Sequence, residues 1–342
     1  MTQYCPNPFE WLDITAWHGD TVKLSICVES WGGPESRLAI LPFREAAKMT
    51  VGELWNQPSA QQSRKEAIEH GCANFCKRCP KWASGDEPVL HGNVPERDVV
   101  SAGPKTLNLA YDRSCNLHCP SCRRNAIFHA PGSDTHTYLK AFQDNIVRPL
   151  LRTADRAYLA GLGDPFGSPC YSELLATTQP EDAPTLNWYI LTNGQGFTPE
   201  RYEAIPTHAQ MDKVQFSVDA ATEKTYGLNR QSDWGKLCDN LAYVGGLRRD
   251  SIVEQLDISM VVQQNNHREA VSFVDFGKAN HVDNVLFSCL LPMEGSGIGS
   301  AHDDVAVLKP GHAEHADAVE SMEAARERGR RIGVNVMVEN AR

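Results

Sequence analysis

What the 342-residue sequence lacks narrows it first. No apolar stretch approaches the ~20 residues that cross a bilayer, and the opening residues MTQYCPNPFEW carry neither a basic n-region nor an apolar h-region. The expectation is a cytoplasmic protein with no membrane partner. Positive charge is also short. There are 33 basic residues against 43 acidic ones, a net charge of −10, and no long basic run. That argues against a nucleic-acid partner, which needs a concentrated positive face. Core-forming residues are not lacking. With 41% hydrophobic and 22% charged residues, the chain has globular composition and the length for one large α/β domain plus a smaller appendage.

Eleven cysteines are present in this chain. Disulfides do not persist in a reducing compartment, so clustered cysteines there ligate metal or perform catalysis. Six fall in two runs of identical C-x3-C-x2-C spacing, Cys72/Cys76/Cys79 and Cys115/Cys119/Cys122. The same spacing would place three buried thiols on one helix face. Pro120 inside the second run opposes that, because proline removes a helical hydrogen bond and clashes with the preceding turn. Gly71 and Pro80 bracket the first run and oppose it in the same way. The second run follows Thr106–Tyr111, whose Leu107, Leu109 and Tyr111 alternate as in a strand. It precedes Arg123–Phe128, which reads as a helix start. Three cysteines in a loop leaving a strand suit three irons of a cubane cluster, with the fourth iron keeping an open position. Zinc lacking one ligand is the competing metal, but zinc sites favour paired C-x2-C knuckles.

The segment C-N-L-H-C-P-S-C resembles the cluster loop of the radical S-adenosylmethionine superfamily, and the resemblance continues through most of the chain. A helix expected over 138–152 and a strand over 157–160 lead into Gly161-Leu162-Gly163-Asp164-Pro165. This turn is similar to the family's Gly-Gly-Glu type, which binds the methionine amino group, with Asp164 replacing Glu. The segment 188–191 ends in Thr192-Asn193-Gly194, and 213–216 ends in Ser217-Val218-Asp219 with Tyr226 and Arg230 downstream. These are similar to the family's third- and fourth-strand motifs. The resemblance implies that Ser217 and Arg230 hold the methionine carboxylate, and that Gly161, Gly163, Asp164 and Asn193 line the cofactor. Strands over 258–262 and 282–287 complete six. One departure is Ser121, where the family usually has an aromatic residue against the adenine. His118 or Phe128 would have to serve instead. Alternating strands and helices independently argue for a parallel sheet with ligands beyond the carboxyl ends of its strands, where these motifs sit.

The fold expected is therefore α/β, a partial (β/α)6 TIM-like barrel over 99–309. A small cysteine-rich α+β domain over 1–98 precedes it, and a helix–strand extension over 310–342 packs on the barrel. In the first hundred residues, Phe9–Trp17 and Thr21–Cys27 flank His18-Gly19-Asp20 as a hairpin, and a helix over 59–70 stops at Gly71. With Cys5-Pro6, Cys27, Glu53-Leu54-Trp55-Asn56 and Cys76-x2-Cys79-Pro80, this region resembles a SPASM or twitch domain. It implies one auxiliary 4Fe–4S cluster on Cys5, Cys27, Cys76 and Cys79, with Cys72 as a spare or alternate ligand. A structural zinc on the same four is the competing reading, and 83–98 is the expected linker.

The implied cofactors are S-adenosylmethionine, a 4Fe–4S cluster on Cys115, Cys119 and Cys122, and the auxiliary cluster. A flavodoxin or ferredoxin would supply electrons. The implied activity is reductive cleavage of S-adenosylmethionine and hydrogen-atom abstraction from a small-molecule substrate such as a sugar, cyclitol or amino-acid derivative. Oxidation follows if the auxiliary cluster takes the second electron. Epimerisation follows if a thiol returns a hydrogen atom, for which Cys289 and, more weakly, Cys170 are candidates, although free cysteines are commonly inert buried residues. A peptide-modifying enzyme is one alternative, and a non-catalytic Fe–S electron carrier or scaffold is another. Arg123 and Arg124, beside the last ligand, are candidates for tuning the cluster potential.

Overall fold

The computed structural model describes residues 6–26, 37–70, 99–292 and 296–339. The expected auxiliary ligands Cys5, Cys27, Cys76 and Cys79, the spare Cys72 and the linker over 83–98 lie outside the described residues. The chain is α/β, with strands that are mostly parallel and helices between them. It divides into two compact units. One holds the described residues up to Arg113 with His129–Gly163 and Pro169–Trp188; the other holds Ser114–Phe128, Asp164–Ser168 and the described residues from Tyr189 onward.

In the first unit, β1 (Trp11–Ala16), β2 (Thr21–Ser25) and β3 (Arg37–Pro42) form an antiparallel meander. The hairpin turn falls at His18-Gly19-Asp20, where Gly19 has φ +63°. Then β1 pairs in parallel with β4 (Thr106–Ala110), and β4 with β5 (Arg156–Leu159). Alternation decides what each strand buries: Leu12, Ile14, Val22, Leu24, Leu107 and Leu109 are all fully buried. On the other face, opposite residues Asp13 and Asn108 meet, the amide donating to Asp13 Oδ1 at 2.7 Å. The helix Pro58–His70 sends the fully buried Arg64 inward. Its Nε donates to the Pro8 carbonyl at 2.8 Å, one Nη to Asn56 Oδ1 at 2.8 Å, and the other to the Trp55 carbonyl at 2.9 Å. The guanidinium also lies 4.2 Å from the Trp55 ring centroid.

In the second unit, strand order is β10-β9-β8-β7-β6, comprising β6 (Asn187–Thr192, which begins at the unit border), β7 (Met211–Ser217), β8 (Gln255–Val262), β9 (Asn284–Cys289) and β10 (Asn335–Val338). The β7–β8, β8–β9 and β9–β10 pairs are parallel. Val214 and Phe216, Leu256, Ile258, Met260 and Val262, and Val285 and Phe287 alternate onto a fully buried apolar face. The helices Trp234–Arg249 and Ala270–Ala279 bring Leu237, Leu241, Val244, Phe273 and Val274, also fully buried. Burying this area is the main stabilisation, roughly 1.5–3 kcal/mol per large side chain.

One expected element did not form. Arg123–Phe128 is irregular rather than helical. The Cys115 N–H donates to the Ile127 carbonyl at 2.9 Å, so the segment turns back to close a loop instead of starting a helix. The helix begins at Asp134, after Pro131 and Gly132, where Ser133 Oγ accepts from the His136 N–H at 3.2 Å.

Candidate metal and cofactor site

Every group in the arrangement below belongs to the second unit. Cys115, Cys119 and Cys122 lie in the closed loop between Ser114 and Phe128. The Cys119 carbonyl accepts from Cys122 N–H at 2.9 Å and Arg123 N–H at 3.0 Å, a tight turn. The Pro120 carbonyl accepts from Gly297 N–H at 2.8 Å. Pro120 therefore sits in irregular backbone, as its presence in the run requires.

Each sulfur has an N–H donor. Cys115 Sγ accepts from Leu117 N–H at 3.4 Å and from the Asn193 amide at 3.5 Å. Cys119 Sγ accepts from an Arg230 Nη at 3.6 Å, and Cys122 Sγ from Arg123 Nε at 3.4 Å. The Cys115 thiol is pushed up to about 11, by burial first and then by the charge of Asp164. Burial pulls the Arg123 and Arg230 guanidiniums down, but Cys122 beside Arg123 and Asp219 with Cys119 beside Arg230 outweigh it. Both remain cations. Arg124, by contrast, is exposed.

Asp164 is tied to its own neighbours through both carboxylate oxygens. It is 1% exposed. Its Oδ1 accepts from the Phe166 and Gly167 N–H groups at 2.9 and 3.0 Å; its Oδ2 accepts from Thr192 Oγ1 at 2.9 Å and Asn193 N–H at 2.7 Å. Four donors occupy both oxygens of the carboxylate, leaving it a clasp between its own turn and the end of β6. Burial raises its carboxyl above the usual range, while these hydrogen bonds pull the other way. The Asp164 N–H donates to the Ser114 carbonyl at 2.9 Å, fastening the same turn to the cysteine loop. Gly167 completes the seam, because a Cβ there would lie 2.7 Å from the Asn116 backbone nitrogen. Gly194 is equally constrained, with φ +81° and Phe216 2.5 Å from a would-be Cβ.

Asn193, 6% exposed, donates to Asn116 Oδ1 at 2.8 Å as well as to Cys115. Ser217 ends β7 opposite Ser259. Two residues on, Asp219 takes a left-handed conformation, φ +62°, and binds Val261 N–H through Oδ1 at 2.7 Å and Arg230 through Oδ2 at 3.0 Å. The Arg230 side chain is 11% exposed, yet its buried Nε has no partner among the described residues. The sequence alone does not mark Asp219 or Asn116. An acid eleven positions before a buried arginine, and an amide next to the first cysteine, were the available signals.

The remaining candidates lie elsewhere. Gly161 and Gly163 (φ +74°) precede Asp164 at the edge of the first unit. Cys170 is fully buried in the helix Pro169–Thr177 of that unit, its thiol pushed far up by burial and by Asp112. Cys289 ends β9, and its Sγ donates to the Glu339 carbonyl at 3.4 Å. The two side chains offered for the adenine, His118 and Phe128, are both exposed.

Among the described residues, the group of three His, Cys, Asp or Glu ligand atoms lying within 4.8 Å of one another is His267, Glu314 and Asp317. In the His267 group, Arg268 already bridges the two carboxylates, at 2.9 Å to Glu314 and 2.5 Å to Asp317.

No protein-family model and no curated protein matches the chain. Among solved structures it is similar to Streptococcus suis SuiB bound to S-adenosylmethionine, at 12% identity and TM-score 0.46 over 96% of this chain and 73% of that one. SuiB bound to precursor peptide SuiA gives 14% identity, the same coverage and TM-score 0.46. A radical SAM methyltransferase from Sphaerobacter thermophilus is similar at 14% identity and TM-score 0.42, over 86% of this chain and 95% of that one.

Proposed function

We propose that the chain is a radical S-adenosylmethionine enzyme initiating at Cys115, Cys119 and Cys122. The observation that carries this reading is the convergence of three thiols, each with its own N–H donor, on strand ends knitted together by Asp164 and Asp219. The unpartnered buried Arg230 Nε supports it, since a buried donor without an acceptor costs ~1–3 kcal/mol and a ligand carboxylate would satisfy it. A cluster held by these cysteines, with S-adenosylmethionine and one electron from a flavodoxin- or ferredoxin-like donor, would supply reductive cleavage of S-adenosylmethionine and hydrogen-atom abstraction from substrate.

This chain's own residues hold, orient and shield. Cys115, Cys119 and Cys122 hold the cluster. Arg230 Nε, with Ser217 at the end of β7, receives the methionine carboxylate. Asn193 orients Cys115 and Asn116. Asp164 positions the turn by joining it to Thr192 and Asn193. A partial barrel would carry the site, and the N-terminal cysteines the SPASM-like auxiliary cluster. For the outcome at substrate, a small polar metabolite, we favour oxidation over epimerisation, because Cys170 is sealed and the Cys289 thiol is engaged with Glu339.

The test is anaerobic reconstitution with iron and sulfide, reduction with dithionite, and measurement of 5′-deoxyadenosine from S-adenosylmethionine. Its formation is expected. Cluster-loaded protein that makes none would leave the electron-carrier reading.

A further inference from the structure

Two buried guanidiniums address two of the three proposed cluster ligands, and neutral groups address the third. Arg123, 8% exposed, donates from Nε to Cys122 at 3.4 Å. Arg230 donates to Cys119 at 3.6 Å. Cys115 receives only a backbone N–H and the Asn193 amide, and the buried Asp164 lies on its side of the trio. Cations therefore donate directly to Cys119 and Cys122, whereas Arg123 reaches Cys115 through its charge alone and Asp164 opposes it there. We propose that Arg123 and Arg230 set the reduction potential of the cluster at these cysteines, raising it so that an ordinary low-potential donor can deliver the electron. This rests on the functional reading above.

The physics is direct. Reduction adds one negative charge to the cluster, so a nearby cation stabilises the reduced form more than the oxidised form. Hydrogen bonds from ionised donors are roughly twice as strong as neutral ones, and burial keeps water from screening them. Two features show that Arg230 is held for this position. Its second Nη is anchored by Asp219 at 3.0 Å, and Asp219 is fixed by Val261 N–H in a left-handed backbone conformation. Asp219 also returns negative charge to the site and so limits how far Arg230 raises the potential. Arg123 has no such function in holding S-adenosylmethionine, which makes it the cleaner probe. It is a positioning and tuning residue, not a catalytic one.

The experiment is an electrochemical titration of the reconstituted protein with redox mediators. It follows the reduced-cluster electron paramagnetic resonance signal that S-adenosylmethionine perturbs. Iron and sulfide are counted in every sample. Arg123→Gln is expected to lower the reduced-to-oxidised ratio at a fixed potential about tenfold, a shift of about 59 mV to the negative for one electron. Arg123→Lys, which keeps the charge, should recover at least half of that shift. Asn193→Ala, removing a neutral donor, should change the ratio less than threefold. If Arg123→Gln loads poorly, the same contrast is read between Arg230→Gln and Arg230→Lys. An unchanged midpoint in a fully loaded Gln variant, or equal midpoints for Gln and Lys, overturns the proposal and leaves the functional reading standing. A wild-type protein whose cluster does not respond to S-adenosylmethionine defeats the functional reading instead.

Discussion

The two units each bury an arginine, and the pair are built for different ends. Arg64 in the first unit has its Nε and both Nη groups on oxygen acceptors and a tryptophan beneath it. Arg230 in the second spends one Nη on an aspartate, one on a sulfur, and leaves Nε without an acceptor among the described residues. Folding tolerates a buried charge when its donors are satisfied. An arginine that satisfies itself with backbone carbonyls is holding a fold together. One that keeps a spare donor beside thiols is suited to a ligand carboxylate, as proposed above.

Substitutions that treat the two arginines alike should separate them. Arg64→Met strands the Pro8 and Trp55 carbonyls, and is expected to cost about 3 kcal/mol of stability at ~1–1.5 kcal/mol per lost bond. Urea denaturation measures this, and S-adenosylmethionine affinity of the folded protein should be unchanged. Arg230→Gln removes the charge facing the proposed carboxylate. We expect S-adenosylmethionine binding, by calorimetry on cluster-loaded protein, to weaken by about 2 kcal/mol, roughly thirtyfold. If Arg64→Met weakens binding as much as Arg230→Gln, the contrast between the units is lost.

Smaller effects refine it. Asp164→Asn places an amide N–H₂ against N–H donors that the carboxylate now accepts from. It should destabilise the protein by about 1–2 kcal/mol and slow cluster loading, without the large loss in affinity expected of a residue touching the amino group. Cys289→Ser should have the smallest effect, leaving both 5′-deoxyadenosine and product formation unchanged. Continued 5′-deoxyadenosine with loss of product would restore the hydrogen-donor role and the epimerase outcome.

How far the sequence reveals this arrangement follows from how local each signal is. The strands were legible because Leu107/Leu109 or Val214/Phe216 alternate within a few residues. The cysteine loop was legible because Pro120 forbids the helix that the spacing would otherwise permit. What was not legible depends on partners far along the chain. Nothing local announces that Asp164 joins its turn to Thr192 and Asn193, some 28 positions on. Arg230 looks like a simple carboxylate binder until it is placed on Cys119, 111 positions earlier. Arg123–Phe128 resembles a helix start because nothing local announces that Cys115 will capture the Ile127 carbonyl.

The two cysteine runs share one spacing, and the account gives only the second the power to cleave S-adenosylmethionine. The most direct measurement is 5′-deoxyadenosine formation by reduced, reconstituted Cys119→Ala and Cys76→Ala proteins side by side. Cys119→Ala is expected to make none while Cys76→Ala still makes it. Formation by Cys119→Ala, or its loss only in Cys76→Ala, would show that the second run is not the initiating site.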